Sequence, residues 1–253
     1  MTLLLLGGTS DARSLAGRLA GHAAFDVTLS LAGRTRHPAA LPVPVRTGGF
    51  GGAEGLADFL RTQRIAAVVD ATHPYAAQIS RNAAAACSAT GVPLLALRRP
   101  PWTAQPGDRW REVADVDGAV AALSTAPRRV FLALGRNEVH AFAAAPQHVY
   151  LVRSVDPVLP PLDVPRADYV VARGPFEDGA ERDLLIRHGI EIIVAKNSGG
   201  TATYGKMAAA RELGLDVVLL RRPDVPEVPA VDGIDAAVAW LERRAAHPAL
   251  RGE

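Results

Sequence analysis

The chain has 253 residues, 49% of them hydrophobic and 21% charged, and a net charge of +2. That length suffices for two α/β domains, and the composition excludes extensive disorder and the concentrated basic footprint of a nucleic-acid-binding protein. Cys87, the single cysteine, excludes an intramolecular disulfide and a thiolate metal cluster and fits a cytoplasmic setting.

Leu3 to Leu6 is an apolar run too short and too poor in basic flanks for a signal peptide, so it reads as a buried strand. No stretch approaches the roughly 20 apolar residues that span a bilayer, and a soluble protein with no membrane partner is expected. Ala12, Leu15, Ala16, Leu19 and Ala20 then recur at helical spacing before Gly21, which predicts an amphipathic helix. Further strands are expected through Val27 to Leu31, Val43 to Thr47, Ala67 to Ala71 and Leu94 to Leu97, with helices near Glu54 to Gln63 and Ala76 to Thr90. These make a five-stranded lobe.

The segment RRPPWTAQPGDRW, dense in Pro and Gly, follows and marks a domain junction, which divides the chain into 1–98 and 99–253. Beyond it, strands are expected at Val130 to Leu134, Val149 to Val152, Tyr169 to Ala172, Ile190 to Ala195 and Val217 to Leu220. Helices are expected near Asn137 to Ala144, Glu181 to His188, Tyr204 to Leu213 and Ile234 to Arg243, and the Pro-rich stretch Asp156 to Pro165 reads as a surface excursion. Strands alternating with helices predict an α/β fold of two Rossmann-like lobes with mostly parallel sheets. Ligands are then expected in the cleft between the lobes.

In such sheets ligands sit at the carboxyl ends of strands, so the turns there carry the chemistry. Gly7-Gly8-Thr9-Ser10-Asp11-Ala12 joins a strand to a helix and forms an anion site: glycine permits the tight turn, and the helix start presents free N–H groups and about half an elementary positive charge. The motif departs from G-x-G-x-x-G at Thr9 and Ala12. Hydroxyls of Thr9 and Ser10 and the charge of Arg13 are available to compensate; a plain helix cap is the alternative. After the second strand, Arg34 and Arg36 stand where NAD-selective proteins carry an acid, which favours a 2′-phosphate and hence NADP, or else forms an exposed basic loop.

The turn Asp70-Ala71-Thr72-His73-Pro74-Tyr75 opens a helix, with Thr72 as a candidate cap, His73 and Tyr75 as candidates to face a nicotinamide or substrate, and Asp70 as a candidate buried anchor. Lys196-Asn197-Ser198-Gly199-Gly200-Thr201, followed by Thr203, Tyr204 and Lys206, is a second strand, Gly-Gly, helix turn able to hold an anion. Gly48 to Gly52 surround Phe50 and either flex over a ligand or simply turn the chain. H-E-x-x-H, G-x-S-x-G and G-x-x-x-x-G-K-[ST] are absent, as is a Tyr-x-x-x-Lys pair, which argues against metal-dependent or serine hydrolases, ATPases and short-chain dehydrogenases.

Taken together, LLLGGTSDAR, RTGGFGG, DATHPYAAQIS and AKNSGGTATYGKMAAARELG, in that order between Leu4 and Gly214, resemble the precorrin-6A reductase family of cobalamin biosynthesis. The resemblance implies hydride transfer from NADPH to a ring carbon of a tetrapyrrole-derived macrocycle, giving precorrin-6B. The NADPH site it implies draws on Gly7, Gly8, Thr9, Ser10, Arg13, Arg34, Thr72, His73, Asn197 and Ser198. A polycarboxylate macrocycle needs cationic and hydroxyl partners, for which Tyr75, Arg153, Ser154, Lys196, Ser198, Gly199, Thr201, Thr203, Tyr204 and Lys206 are the candidates. No metal site is expected. His73, Tyr75, an acid or solvent supplies the accompanying proton. Reduction of the cobalt-containing precorrin, and a non-catalytic NADP(H) sensor, are the alternatives.

Overall fold

The computed structural model describes residues 1–33 and 41–246. Four successive leucines make β1 (Thr2–Leu6) a strand buried on both faces, as the centre of a parallel sheet requires. It is followed by α1 (Ser10–Leu19), β2 (Asp26–Leu31), β3 (Val45–Thr47), α2 (Gly52–Thr62), β4 (Ala67–Asp70), α3 (Ala77–Thr90) and β5 (Leu94–Leu97). The two-residue period of the strand sorts the leucines: Leu3 and Leu5 join a core with Leu15 and Leu19 of α1, whereas Leu4 and Leu6 pack with Leu56 and Leu60 of α2 and Ala83 of α3.

The chain then supplies β6 (Arg109–Val113), α4 (Val116–Ala122), β7 (Arg129–Ala133), a 3₁₀ turn (Val139–Ala144), β8 (Val149–Ser154), β9 (Ala167–Val171), α5 (Asp178–Arg187), β10 (Ile192–Lys196), α6 (Gly205–Leu213) and β11 (Asp216–Leu220). Phe131, Leu151, Ile193 and Leu219 cover α5 and α6 through Leu185, Met207 and Ala210. Two elements close the described chain, β12 (Ala230–Val231) and α7 (Ile234–Ala246). Among the described residues no helix is long and apolar enough to cross a membrane.

Among the described residues both sheets are six-stranded, with every observed strand pair parallel, in the orders β3-β2-β1-β4-β5-β12 and β9-β8-β7-β10-β11-β6. Each follows the doubly wound 3-2-1-4-5-6 pattern, with the sixth strand drawn from the other half of the sequence. β6 comes directly after β5 along the chain but pairs with β11; β12 comes directly after β11 but pairs with β5. The compact units are accordingly Met1–Pro100 together with the segment from Pro223, and Pro101–Arg222.

This arrangement corrects the sequence reading in three places. The first sheet has six strands rather than five, because β12 completes its edge. The tail expected in a 99–253 domain returns to the first unit, where Ala237, Val238 and Leu241 enter the core of Leu3 and Leu5. Periodicity finds an amphipathic helix but not the sheet it covers. Third, the segment taken as a junction runs into β6, an edge strand whose Arg-Trp-Arg-Glu-Val pattern is exposed or half-buried and carries little apolar signal.

Candidate active site

In a doubly wound sheet the crevice for a ligand lies where the strand order reverses, between the first and fourth strands. In the first unit that point is the pair β1 and β4. Thr9 caps α1 by accepting the Ala12 N–H at 3.1 Å, and its hydroxyl donates to the Ala71 carbonyl at 2.7 Å, tying the two loops of the crevice together. Gly7 is closely packed, since a Cβ there would lie 2.6 Å from Leu29 Cδ1 and displace that side chain. Gly8 adopts φ +117 and an added Cβ would meet nothing within 4 Å, so its backbone faces open space that an anion can approach. Ser10 opens α1, where its hydroxyl lies 3.4 Å from Asp11 Oδ1. Asp11 is itself held by Arg99 at 2.9 Å.

The β4 loop is built on Asp70. Its buried carboxylate accepts the Thr72 N–H at 3.1 Å, the Thr72 hydroxyl at 2.6 Å and the Ser80 hydroxyl at 2.5 Å. Thr72 therefore shapes the turn rather than capping α3, whose N-cap is Ala76 without a side-chain bond. His73 Nδ1 accepts the Tyr75 N–H at 3.3 Å, and the two half-buried rings lie 5.6 Å apart. At the end of the edge strand β3, Arg46 donates to the carbonyls of Gly48 and Gly49 and stacks 3.9 Å from Phe50, so the glycine-rich turn is clamped. Arg34 and Arg36 lie outside the described residues.

The second unit reverses its order between β7 and β10, and the Lys196 to Thr201 loop stands at that point. Asn197 is 6% exposed and spent on structure, its amide bonding Trp102 N–H at 2.7 Å and Trp102 O at 2.9 Å. Trp102 Nε1 donates to Gly200 O, and Arg222 donates to the carbonyls of Asn197 and Ser198. Half-buried Ser198, buried Gly199 and exposed Thr201 thus ride on a fixed loop, and the Thr201 carbonyl accepts from Tyr204 at 3.0 Å.

Two expected substrate cations are buried instead. Arg153 forms a two-point pair with Glu181, at 7% and 4% exposure, and stacks 3.8 Å from Phe176. Lys206 is 4% exposed, donates to Thr203 O at 2.6 Å and lies 4.8 Å from the Trp102 ring. Burial, then the Arg153 charge, lowers its pKa to about 7 against the opposing pull of Glu181. Ser154 is also inward, donating to Asp156 O at 2.6 Å, and the Tyr204 hydroxyl meets Arg211. Within the Lys196 to Thr201 loop itself, Thr201 is exposed, while Lys196 and Ser198 are half-buried.

Sequence reasoning missed the β7 turn. There Glu138 N–H closes onto Gly135 O at 2.9 Å, and the Glu138 carboxylate reaches across to Lys196. The available signal was Gly135, directly after a buried apolar run. Arg99 and Trp102 were hidden inside a segment that reads as linker.

The sequence matches the family described as Precorrin-6x reductase CbiJ/CobK over residues 2–242. It is 55% identical to the precorrin-6A reductase of a Sinorhizobium species over 93% of this chain and 90% of that one. It is 30% identical to the cobalt-precorrin-6A reductase of Priestia megaterium, over 88% of this chain and 91% of the relative. A solved CobK precorrin-6A reductase superposes with a TM-score of 0.92 at 50% identity, covering 96% of each chain. With a family match across nearly its whole length and a solved member that shares its fold, this chain belongs to the precorrin-6x reductase family.

Proposed function

We propose that this protein reduces precorrin-6A to precorrin-6B with NADPH in cobalamin biosynthesis. The observation that carries the reading is the first unit's reversal point, where an open glycine and a capped helix start are cross-tied to the β4 loop. Gly7, Gly8, Thr9, Ser10 and Arg13 would hold the pyrophosphate, with Arg34 favouring the 2′-phosphate and Thr72 and His73 beside the nicotinamide. Bound there, NADPH supplies the hydride. The fit is supported by Gly8, whose backbone is unobstructed, and by Asp70, whose bonds to Thr72 and Ser80 hold the facing loop in one shape.

Lys196, Ser198 and Thr201 would bind carboxylate arms of the macrocycle, with Tyr75 near its reacting face. The chain's task is to fix two large ligands against one another and keep water out, which requires rigid loops more than a catalytic base. The Trp102 and Arg222 clamps supply that rigidity in the second unit. Identity to the precorrin-6A reductase relative is much higher than to the cobalt-precorrin-6A reductase relative, which supports the metal-free substrate.

Single-turnover mixing tests this. Loss of nicotinamide absorbance from NADPH on adding precorrin-6A, faster than with NADH or the cobalt form, is expected. NADPH binding without oxidation by either substrate would instead support a sensor.

A further inference from the structure

We propose that Glu138 is an internal competitor for the macrocycle: its carboxylate occupies Lys196 as a substrate carboxylate would, and so sets how tightly substrate and product are held. The inference rests on the proposed role of Lys196 in binding the substrate. Three observations place Glu138 there. Its carboxylate pairs with Lys196 across the second unit's reversal point, joining the ends of β7 and β10, where a doubly wound sheet receives its ligand. The pair is not sealed: the side chains are 32% and 15% exposed, so an incoming anion can reach it. And the backbone is shaped for the contact, because a Cβ on Gly135 would lie 2.4 Å from Glu138 Oε2 and 3.8 Å from Lys196 Nζ.

Physically, an ammonium already paired with a carboxylate attracts a second one weakly, since the pair has no net charge. Lysine has three donors, and a substrate carboxylate must either share them with the groups Lys196 already meets, Glu138 among them, or displace that carboxylate. A polycarboxylate gripped by unopposed cations would bind reactant and product alike too tightly, which lowers KM without raising kcat and slows release. Glu138 counters that at one subsite.

The test is steady-state NADPH oxidation with precorrin-6A for wild type, Glu138→Gln, Gly135→Ala, Lys196→Met and the Glu138→Gln/Lys196→Met double variant. Glu138→Gln is expected to lower KM by about two- to fivefold, the range of a partly exposed pair, with kcat unchanged or reduced. Gly135→Ala, which displaces the same carboxylate, should do likewise. The gain should vanish in the Lys196→Met background, because the effect passes through that ammonium. A raised KM in Glu138→Gln would overturn the proposal and make Glu138 a positioning residue. An equal fall in KM with Lys196 absent would overturn it too, assigning the effect to the general field. Failure of the wild type itself to oxidise NADPH with precorrin-6A would remove the functional reading beneath both.

Discussion

Lys206 is held with 4% exposure among Trp102, Arg153 and Glu181, and its titration couples to stability. Burial lowers its pKa to about 7, while an unfolded lysine keeps its proton to about 10.4. Between those values the unfolded chain binds the extra proton, so stability rises with pH; below about 7 both states are charged and the cost of the buried charge is fully present. Urea midpoints measured from about pH 6 to about pH 10 should show that rise, and Lys206→Met should flatten it. His148 acts below this window: burial, reinforced by Arg128, lowers its pKa, so it costs stability as pH falls through the ordinary histidine range. Thr9 carries two bonds in the first unit, one capping α1 and one to Ala71 O. Thr9→Ala should lower stability by about 1 kcal/mol and weaken NADPH binding, with Thr9→Ser retaining most of both; denaturation and calorimetric titration would check this.

At the level of elements, helix propensity and packing disagree about Gly55. Alanine is the better helix former by about 1 kcal/mol, so a reading of α2 alone expects Gly55→Ala to stabilise. In the fold an added Cβ would lie 1.8 Å from Phe50 O, a backbone atom that cannot swing away. Gly55→Ala is therefore expected to destabilise by about 1–3 kcal/mol, and a lowered thermal midpoint measures it. The contrast shows what sequence reveals and where it stops. β1 was legible because Leu3 to Leu6 are all buried, α1 because Ala12, Leu15, Ala16 and Leu19 share one face. The burial of Arg153 and Lys206 is not legible, because a cation looks the same in sequence whether it faces solvent or lies inside the unit. Trp102 was hidden among prolines although it fixes the Asn197 loop. Trp102→Ala should raise KM for precorrin-6A more than it changes NADPH affinity, a split that kinetics and direct binding would resolve.

For the whole molecule, the reciprocal placement of β6 and β12 makes the two units unequal as fragments. Residues 101–222 hold every strand of their own sheet, whereas residues 1–100 lack β12 and α7. A fragment of residues 1–100 is expected to be unfolded or aggregated, with the β5 edge unpaired and Leu3 and Leu5 uncovered by α7. Joining 1–100 to 223–246 through a short flexible linker should restore a cooperative transition, and the 101–222 fragment should show one without help. Circular dichroism of the three polypeptides decides this. If 1–100 folds as well alone, β12 and α7 are dispensable and the exchange is only decorative in energy.

The same exchange also sets an order in time. A ribosome releases residues 101–222 before the segment that completes the first sheet, so the middle of the chain can finish folding while its beginning still waits. During that interval the nascent first unit has an open β5 edge and an uncovered apolar face, and its core is completed only when α7 emerges. Newly made protein should thus depend on chaperones for its earliest-made segment, the reverse of the usual start-to-end progression.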